Sequence, residues 1–183
     1  TASAGEDVTL CATTSSVQLH GIIGGGSDAL YWTTNGSGTF DDNANADPNY
    51  TFSNSDLNSG LVQFVLHAVS IGSCAEATDT VLVTLQTPSV VTAGQDMSIC
   101  ASETEITLGG SVSGASTSGQ WTSSGSGSFS PEQTFGIATT YFFSNQDYQN
   151  GSVSLTLSAT NTGACAPSVD DIIVTLIPEL TID

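Results

Sequence analysis

The chain has 183 residues, with 18 Asp and Glu, two His and no Lys or Arg, so its formal net charge is −18 at pH 7. That acid content is ordinary; the charge arises because bases are missing, and 27 Ser and 25 Thr fill their place. Without a cationic side chain there is no phosphate clamp for nucleic acid, no P-loop or Schiff-base lysine and no electrostatic docking on an anionic membrane.

In chain order, strands are expected over 7–11 and 16–21, inside the segment AGEDVTLCATTSSVQLHG (4–21), which returns as AGQDMSICASETEITLGG (93–110). A strand over 29–34 carries Trp32 and leads into YWTTNGSGTF (31–40), which returns as QWTSSGSGSF (120–129). The strand over 49–53 opens YTFSNSDLNSGLVQFVLHA (50–68), which returns as YFFSNQDYQNGSVSLTLSA (141–159). The last strand, 80–86, ends GSCAEATDTVLVTL (72–85), and its twin 171–177 ends GACAPSVDDIIVTL (163–176). The organisation expected is therefore one repeat over 1–87, a second over 88–178, and the start of a linker to a further copy over 179–183.

Period-2 alternation dominates. Val62, Phe64, Leu66 and Ala68 alternate with Gln63, Val65 and His67; Val153, Leu155, Leu157 and Ala159 alternate with Ser154, Thr156 and Ser158. One apolar and one polar face per strand, with Gly, Asn and Ser turns between and no convincing helical stripe, predicts an all-β antiparallel sandwich in each copy. No run of about 18 apolar residues occurs, so no direct membrane insertion is expected.

Cys11, Cys74, Cys100 and Cys165 fall at equivalent places, two per copy. An even count so placed predicts one disulfide per copy and an oxidising, extracytoplasmic compartment. Four cysteines allow three pairings; repeat symmetry favours Cys11–Cys74 and Cys100–Cys165, each contributing about 4 kcal/mol on the chain-entropy model.

Three acids recur in both copies: Asp7 and Asp96, Asp56 and Asp147, Asp79 and Asp170. With no bases to pair with, their expected role is to accept backbone N–H groups in tight turns. Asp41, Asn43, Asn45 and Asp47 alternate in DDNANAD (41–47), like the first half of an EF-hand-type loop, and form the calcium candidate. Ala46 stands where the turn glycine belongs and Phe52 where the bidentate Glu belongs. No cofactor is required by the rest of the chain. The G-S-G turns (36–38 and 125–127) are not phosphate loops, since no strand-to-helix transition surrounds them. Trp32 and Trp121 are expected in the core. His20 and His67 have no counterpart in the second copy, where Gly109 and Ser158 stand, so an enzyme is not expected.

The set AG-x-D-x-x-x-C, a mid-domain Trp before G-S-G-x-F, Y-x-F-S-N-x-D-x-x-x-G, and C-x-x-x-x-D-x-[VI]-x-V-T-L resembles the immunoglobulin-like (PKD-like) repeats of very large secreted surface proteins of Bacteroidota, gliding-motility adhesins among them. The resemblance covers essentially the whole chain. It implies two tandem immunoglobulin-like sandwiches, type IX secretion, a cell-surface location and a role in filamentous adhesion. It also implies O-glycosylation at Thr80, in Asp79-Thr80-Val81.

The function expected is a stalk or filament segment of such an adhesin, with neighbouring repeats of the same chain as its partners. Two alternatives are a module that binds surface polysaccharide through exposed aromatics, with Leu57 and Tyr148 as contacts, and a pilus-like subunit polymerising by donated strands.

Overall fold

In the computed structural model, which describes residues 1–70, 75–131 and 139–179, the alternation of apolar and hydroxyl residues becomes strands. The chain divides into two units, Thr1–Thr87 and Pro88–Asp183. The first contains β1 (Ala2–Ser3), β2 (Val8–Cys11), β3 (Ser16–Gln18), β4 (Ile22–Ile23), β5 (Ser27–Thr34), β6 (Thr39–Phe40), β7 (Asn49–Thr51), α1 (Asn54–Ser59), β8 (Leu61–Ser70) and β9 (Ala77–Gln86). The second contains β10 (Val90–Thr92), β11 (Met97–Cys100), β12 (Glu105–Leu108), β13 (Ser111–Ser113), β14 (Ser118–Ser123), β15 (Ser128–Ser130), β16 (Thr139–Phe142), α2 (Asn145–Asn150), β17 (Ser152–Thr160) and β18 (Val169–Ile177).

Each unit packs a four-stranded sheet on a three-stranded one. The orders are β2-β9-β8-β5 and β3-β7-β6 in the first unit, β11-β18-β17-β14 and β12-β16-β15 in the second. The inward residues of β8 (Val62, Phe64, Leu66 and Ala68) and of β17 (Val153, Leu155, Leu157 and Ala159) are all buried. Burying each such side chain contributes about 1.5–3 kcal/mol, Ala less. Trp32 and Trp121 are each 1% exposed and lie at the centre of their cores.

Among the described residues, one pairing per unit is parallel: β2 with β9, and β11 with β18. This follows from a crossover at the start of each unit. β1 pairs antiparallel with β4, then the chain turns at Gly5 and β2 joins β9. Gly5 has φ 90°, and Gly94 at the matching place has φ 121°, backbone that disfavours side chains. Two acids hold the crossing. Asp79 accepts the Ala4 N–H at 2.7 Å before it, and Asp7 accepts the Leu82 N–H at 2.8 Å after it. Asp170 with Ala93 and Asp96 with Ile173 repeat this, each at 2.8 Å. The AG-x-D motif is thus a strand that changes sheets.

Each unit also contains a six-residue helix that the hydrophobic pattern does not show. It is too short to carry an apolar stripe and is defined by its ends. Ser53 and Asp56 form a reciprocal capping box, as do Ser144 and Asp147, and Gly60 and Gly151 close the helices in the left-handed conformation. The S-N-x-D-x-x-x-G motif encodes that helix.

Candidate functional site

A second set of residues shared by both units, the G-S-G turn with a Tyr and an Asp, forms a polar knot in each. In the first, the three successive N–H groups of the G-S-G turn are each held by a side chain. Gly36 N–H donates to Thr34 Oγ1 at 2.9 Å, Ser37 N–H to Asp56 Oδ1 at 2.8 Å, and Gly38 N–H to the Tyr50 hydroxyl at 2.6 Å. Tyr50 then donates to Asp56 Oδ2 at 3.0 Å. The second unit reproduces each bond with Ser123, Asp147 and Tyr141. Gly38 is required by close approach, since a Cβ there would collide with the Thr51 carbonyl; Gly127 meets the Phe142 carbonyl in the same way.

Asp56 is 3% exposed and Asp147 0%, and neither faces a cation. Burial pushes the Asp56 carboxyl upward, but the N–H groups of Ser37 and Ser53 and the Tyr50 hydroxyl outweigh it and hold its pKa below the usual value. Asp147 is lowered by the same balance, through Ser144, Tyr141 and Ser126. Burial, followed by the adjacent carboxylate, raises Tyr50. Burial is also the largest cause raising Tyr141, with Asp147 adding to it and the Ser123 hydroxyl opposing. Both phenols therefore stay protonated and keep donating. A shallow polar cleft of about 230 Å³, lined by Asn35, Ser37, Ser55, Asp56 and Ser59 among others, lies over the first knot.

The calcium candidates in 41–47 lie on a strap between β6 and β7, where each is hydrogen-bonded. Asp41 Oδ1 accepts the N–H groups of Asp42 (2.7 Å) and Asn49 (2.9 Å), and Asn45 Oδ1 accepts that of Asp47 (3.1 Å). Asn43 takes the Trp32 N–H on its carbonyl at 2.8 Å and donates its amide to the Trp32 carbonyl at 3.3 Å. Asp47 Oδ1 lies 3.1 Å from His20 Nδ1. The strap covers the edge of β5 at Trp32, the place where an unprotected strand invites foreign pairing. Among the described residues, no group of three or more His, Cys, Asp or Glu is placed to hold a metal ion.

Cys11 and Cys165 are disulfide-bonded. Cys100 is an exposed free thiol, so the Cys100–Cys165 bond expected from symmetry is not made. Met97 and Ile99 turn inward on β11 and Cys100 turns outward, whereas Cys165 is 5% exposed. Cys74 lies outside the described residues. Thr80 lies on the exposed face of β9. The two proposed contact residues, Leu57 and Tyr148, are not presented outward. Leu57 packs against the core, and Tyr148 is half-buried, packs on Phe143 and donates to the Glu103 carbonyl at 2.7 Å.

A group of residues missed in the sequence lies on the outer face of β5 and β8 in the first unit, with Glu76 just before β9. Tyr31 stacks on His67 with ring centroids 4.3 Å apart and planes 5° from parallel. His67 Nδ1 is 3.0 Å from Glu76 Oε1, and His67 Nε2 is 2.9 Å from Thr33 Oγ1. The Glu76 carboxylate, by hydrogen bonding, is the largest cause raising the Tyr31 phenol. The signal available was the pairing of a 29–34 strand with 62–68, which puts Tyr31 opposite His67.

No family model matches the chain, and no curated protein matches it. Among solved structures, it is similar to Sidekick-1 immunoglobulin domains 1–5, with TM-score 0.55 and 14% identity over 96% of this chain and 38% of that one. It is also similar to the titin I-band fragment I67–I69, with TM-score 0.52 and 13% identity over 94% of this chain and 63% of that one. The chain thus spans less than two thirds of either of these two structures. At this identity the likeness establishes the fold: two tandem all-β immunoglobulin-like sandwiches.

Proposed function

We propose that the chain is a load-bearing stalk segment of a secreted bacterial cell-surface adhesin, built from tandem immunoglobulin-like repeats. The observation that carries this reading is the duplication of the buried Tyr–Asp–turn knot and of the acid-held crossover in both units. What the two copies share serves to hold each sandwich together, and little of it is presented outward. Disulfide-bonded Cys11 and Cys165 support an extracellular setting. A chain without Lys or Arg offers trypsin-like proteases no cleavage site, and its uniform charge keeps neighbouring chains apart. The motif resemblance to Bacteroidota surface adhesins supports the placement, with neighbouring repeats as partners and exposed Thr80 as the glycosylated residue. Each unit assembles its four- and three-stranded sheets from its own strands, which speaks against polymerisation by donated strands.

Binding of the chain to arrays of surface polysaccharides and to bacterial cells tests this. A stalk segment gives no saturable binding, whereas a saturable glycan ligand would make it a recognition module.

A further inference from the structure

We propose that Thr33 is a base-activated nucleophile, able to take an acyl group from a small activated ester or thioester. The geometry is a relay of three side chains. His67 Nε2 lies 2.9 Å from Thr33 Oγ1, and His67 Nδ1 lies 3.0 Å from Glu76 Oε1. An ionised carboxylate only accepts, so Nδ1 carries the hydrogen and donates to Glu76. The Nε2 lone pair then faces the Thr33 hydroxyl, which donates to it. A hydroxyl within reach of a base that a third group orients is the signature of nucleophilic catalysis.

The imidazole is fixed from several sides. Tyr31 covers one ring face, Glu76 fixes the tautomer, and the ring is only 18% exposed. Glu76 is the charged group against it. Tyr31 and Thr33 flank it from β5, and Thr78 is its register partner on β9. Thr33 itself is exposed, so a reagent reaches its Oγ1.

The fold does not require this relay. The second unit builds the same sandwich with Gln120, Thr122, Ser158 and Pro167 at the places of Tyr31, Thr33, His67 and Glu76. Thr122 is therefore an internal control: a threonine at the equivalent strand position, without the imidazole.

The step balances. Thr33 Oγ1 forms a bond to the acyl carbon as its proton passes to His67 Nε2. The bond from that carbon to the leaving oxygen or sulfur breaks, and the imidazolium returns the proton to the leaving group. Glu76 and the Tyr31 ring face stabilise the transient imidazolium. The products are an ester on Thr33 and a free alcohol or thiol.

The test uses the full chain, with Cys100 first alkylated so that its thiol does not react. It is incubated with p-nitrophenyl acetate and the acetylated positions are mapped by peptide mass spectrometry. Thr33 is expected to be acetylated at least about a hundredfold faster than Thr122, the scale of general-base assistance. Thr33→Val removes the adduct, and His67→Ser and Glu76→Gln lower its rate at Thr33 by at least about tenfold. Serine is tolerated at that register in the second unit, so His67→Ser keeps the wild-type melting transition. Equal labelling of Thr33 and Thr122 in the wild-type chain would overturn the proposal whatever the variants do. So would His67→Ser labelling Thr33 at the wild-type rate.

Discussion

Tyr50 donates its hydroxyl to the buried carboxylate of Asp56 at 3.0 Å, and the same oxygen of Tyr50 accepts the N–H of Gly38 at 2.6 Å. One phenol thus links α1 to the turn between β5 and β6. The ring itself is fully buried against Phe40, Phe52 and Phe64. Tyr50→Phe keeps that packing and removes both hydrogen bonds. It should cost the first unit about 1–3 kcal/mol, read as a lower urea midpoint at unchanged m.

Asp56→Asn is expected to be worse, at about 2–3 kcal/mol. The amide turns a donor toward N–H groups that need an acceptor, leaving partners unsatisfied in the interior. Asp147→Asn should do the same to the second unit, because its contacts are the same.

Acid should act through this pair. The folded pKa of Asp56 and of Asp147 lies below the ordinary aspartate value, because backbone N–H groups and a tyrosine hydroxyl donate to each carboxylate. Each carboxylate therefore adds stability that is fully present above the unfolded pKa, about 3.9, and is lost as pH falls through the lower folded value. Stability should hold down to about pH 4 and fall below it, and the double variant Asp56→Asn/Asp147→Asn should show a shallower fall there. Melting temperatures measured between about pH 2 and 6 decide the matter.

Native-state thiol labelling should modify Cys100 and leave Cys11 and Cys165 untouched, because the first is an exposed thiol and the others are bonded. Peptide mapping after iodoacetamide treatment without reductant is the measurement. An unmodified Cys100 would mean that it too is oxidised.

Gly38→Ala and Gly127→Ala place a methyl group against a backbone carbonyl and the Tyr50 or Tyr141 ring. Backbone has to move, and a loss of about 1–3 kcal/mol is expected in the unit that carries the change. Separate thermal transitions for the two units would show which one is affected.

The sandwich was legible because hydroxyls alternate with Val, Leu and Phe, so β8 and β17 show their inward faces directly. The six recurrent acids were legible as N–H acceptors because nothing cationic competes for them. Other features were hidden for physical reasons. α1 is held by its caps alone, which hydrophobic periodicity does not register. The bond from Tyr50 to Asp56 spans a strand end and a helix, so each residue reads locally as something else. Symmetry misled at Cys100, which is an exposed free thiol. His67 read only as an outward residue without a twin, because Thr33 is 34 residues away and meets it through the β5–β8 register alone.

Mechanical unfolding tests the stalk reading most directly. Pulled from its ends under reducing conditions, the chain should give two discrete unfolding events, each releasing on the order of 250–300 Å for a unit of about 90 residues. Asp56→Asn should lower the force of one event and Asp147→Asn that of the other. Featureless extension at low force, or a single event that both substitutions weaken together, would contradict the account of two independent load-bearing sandwiches.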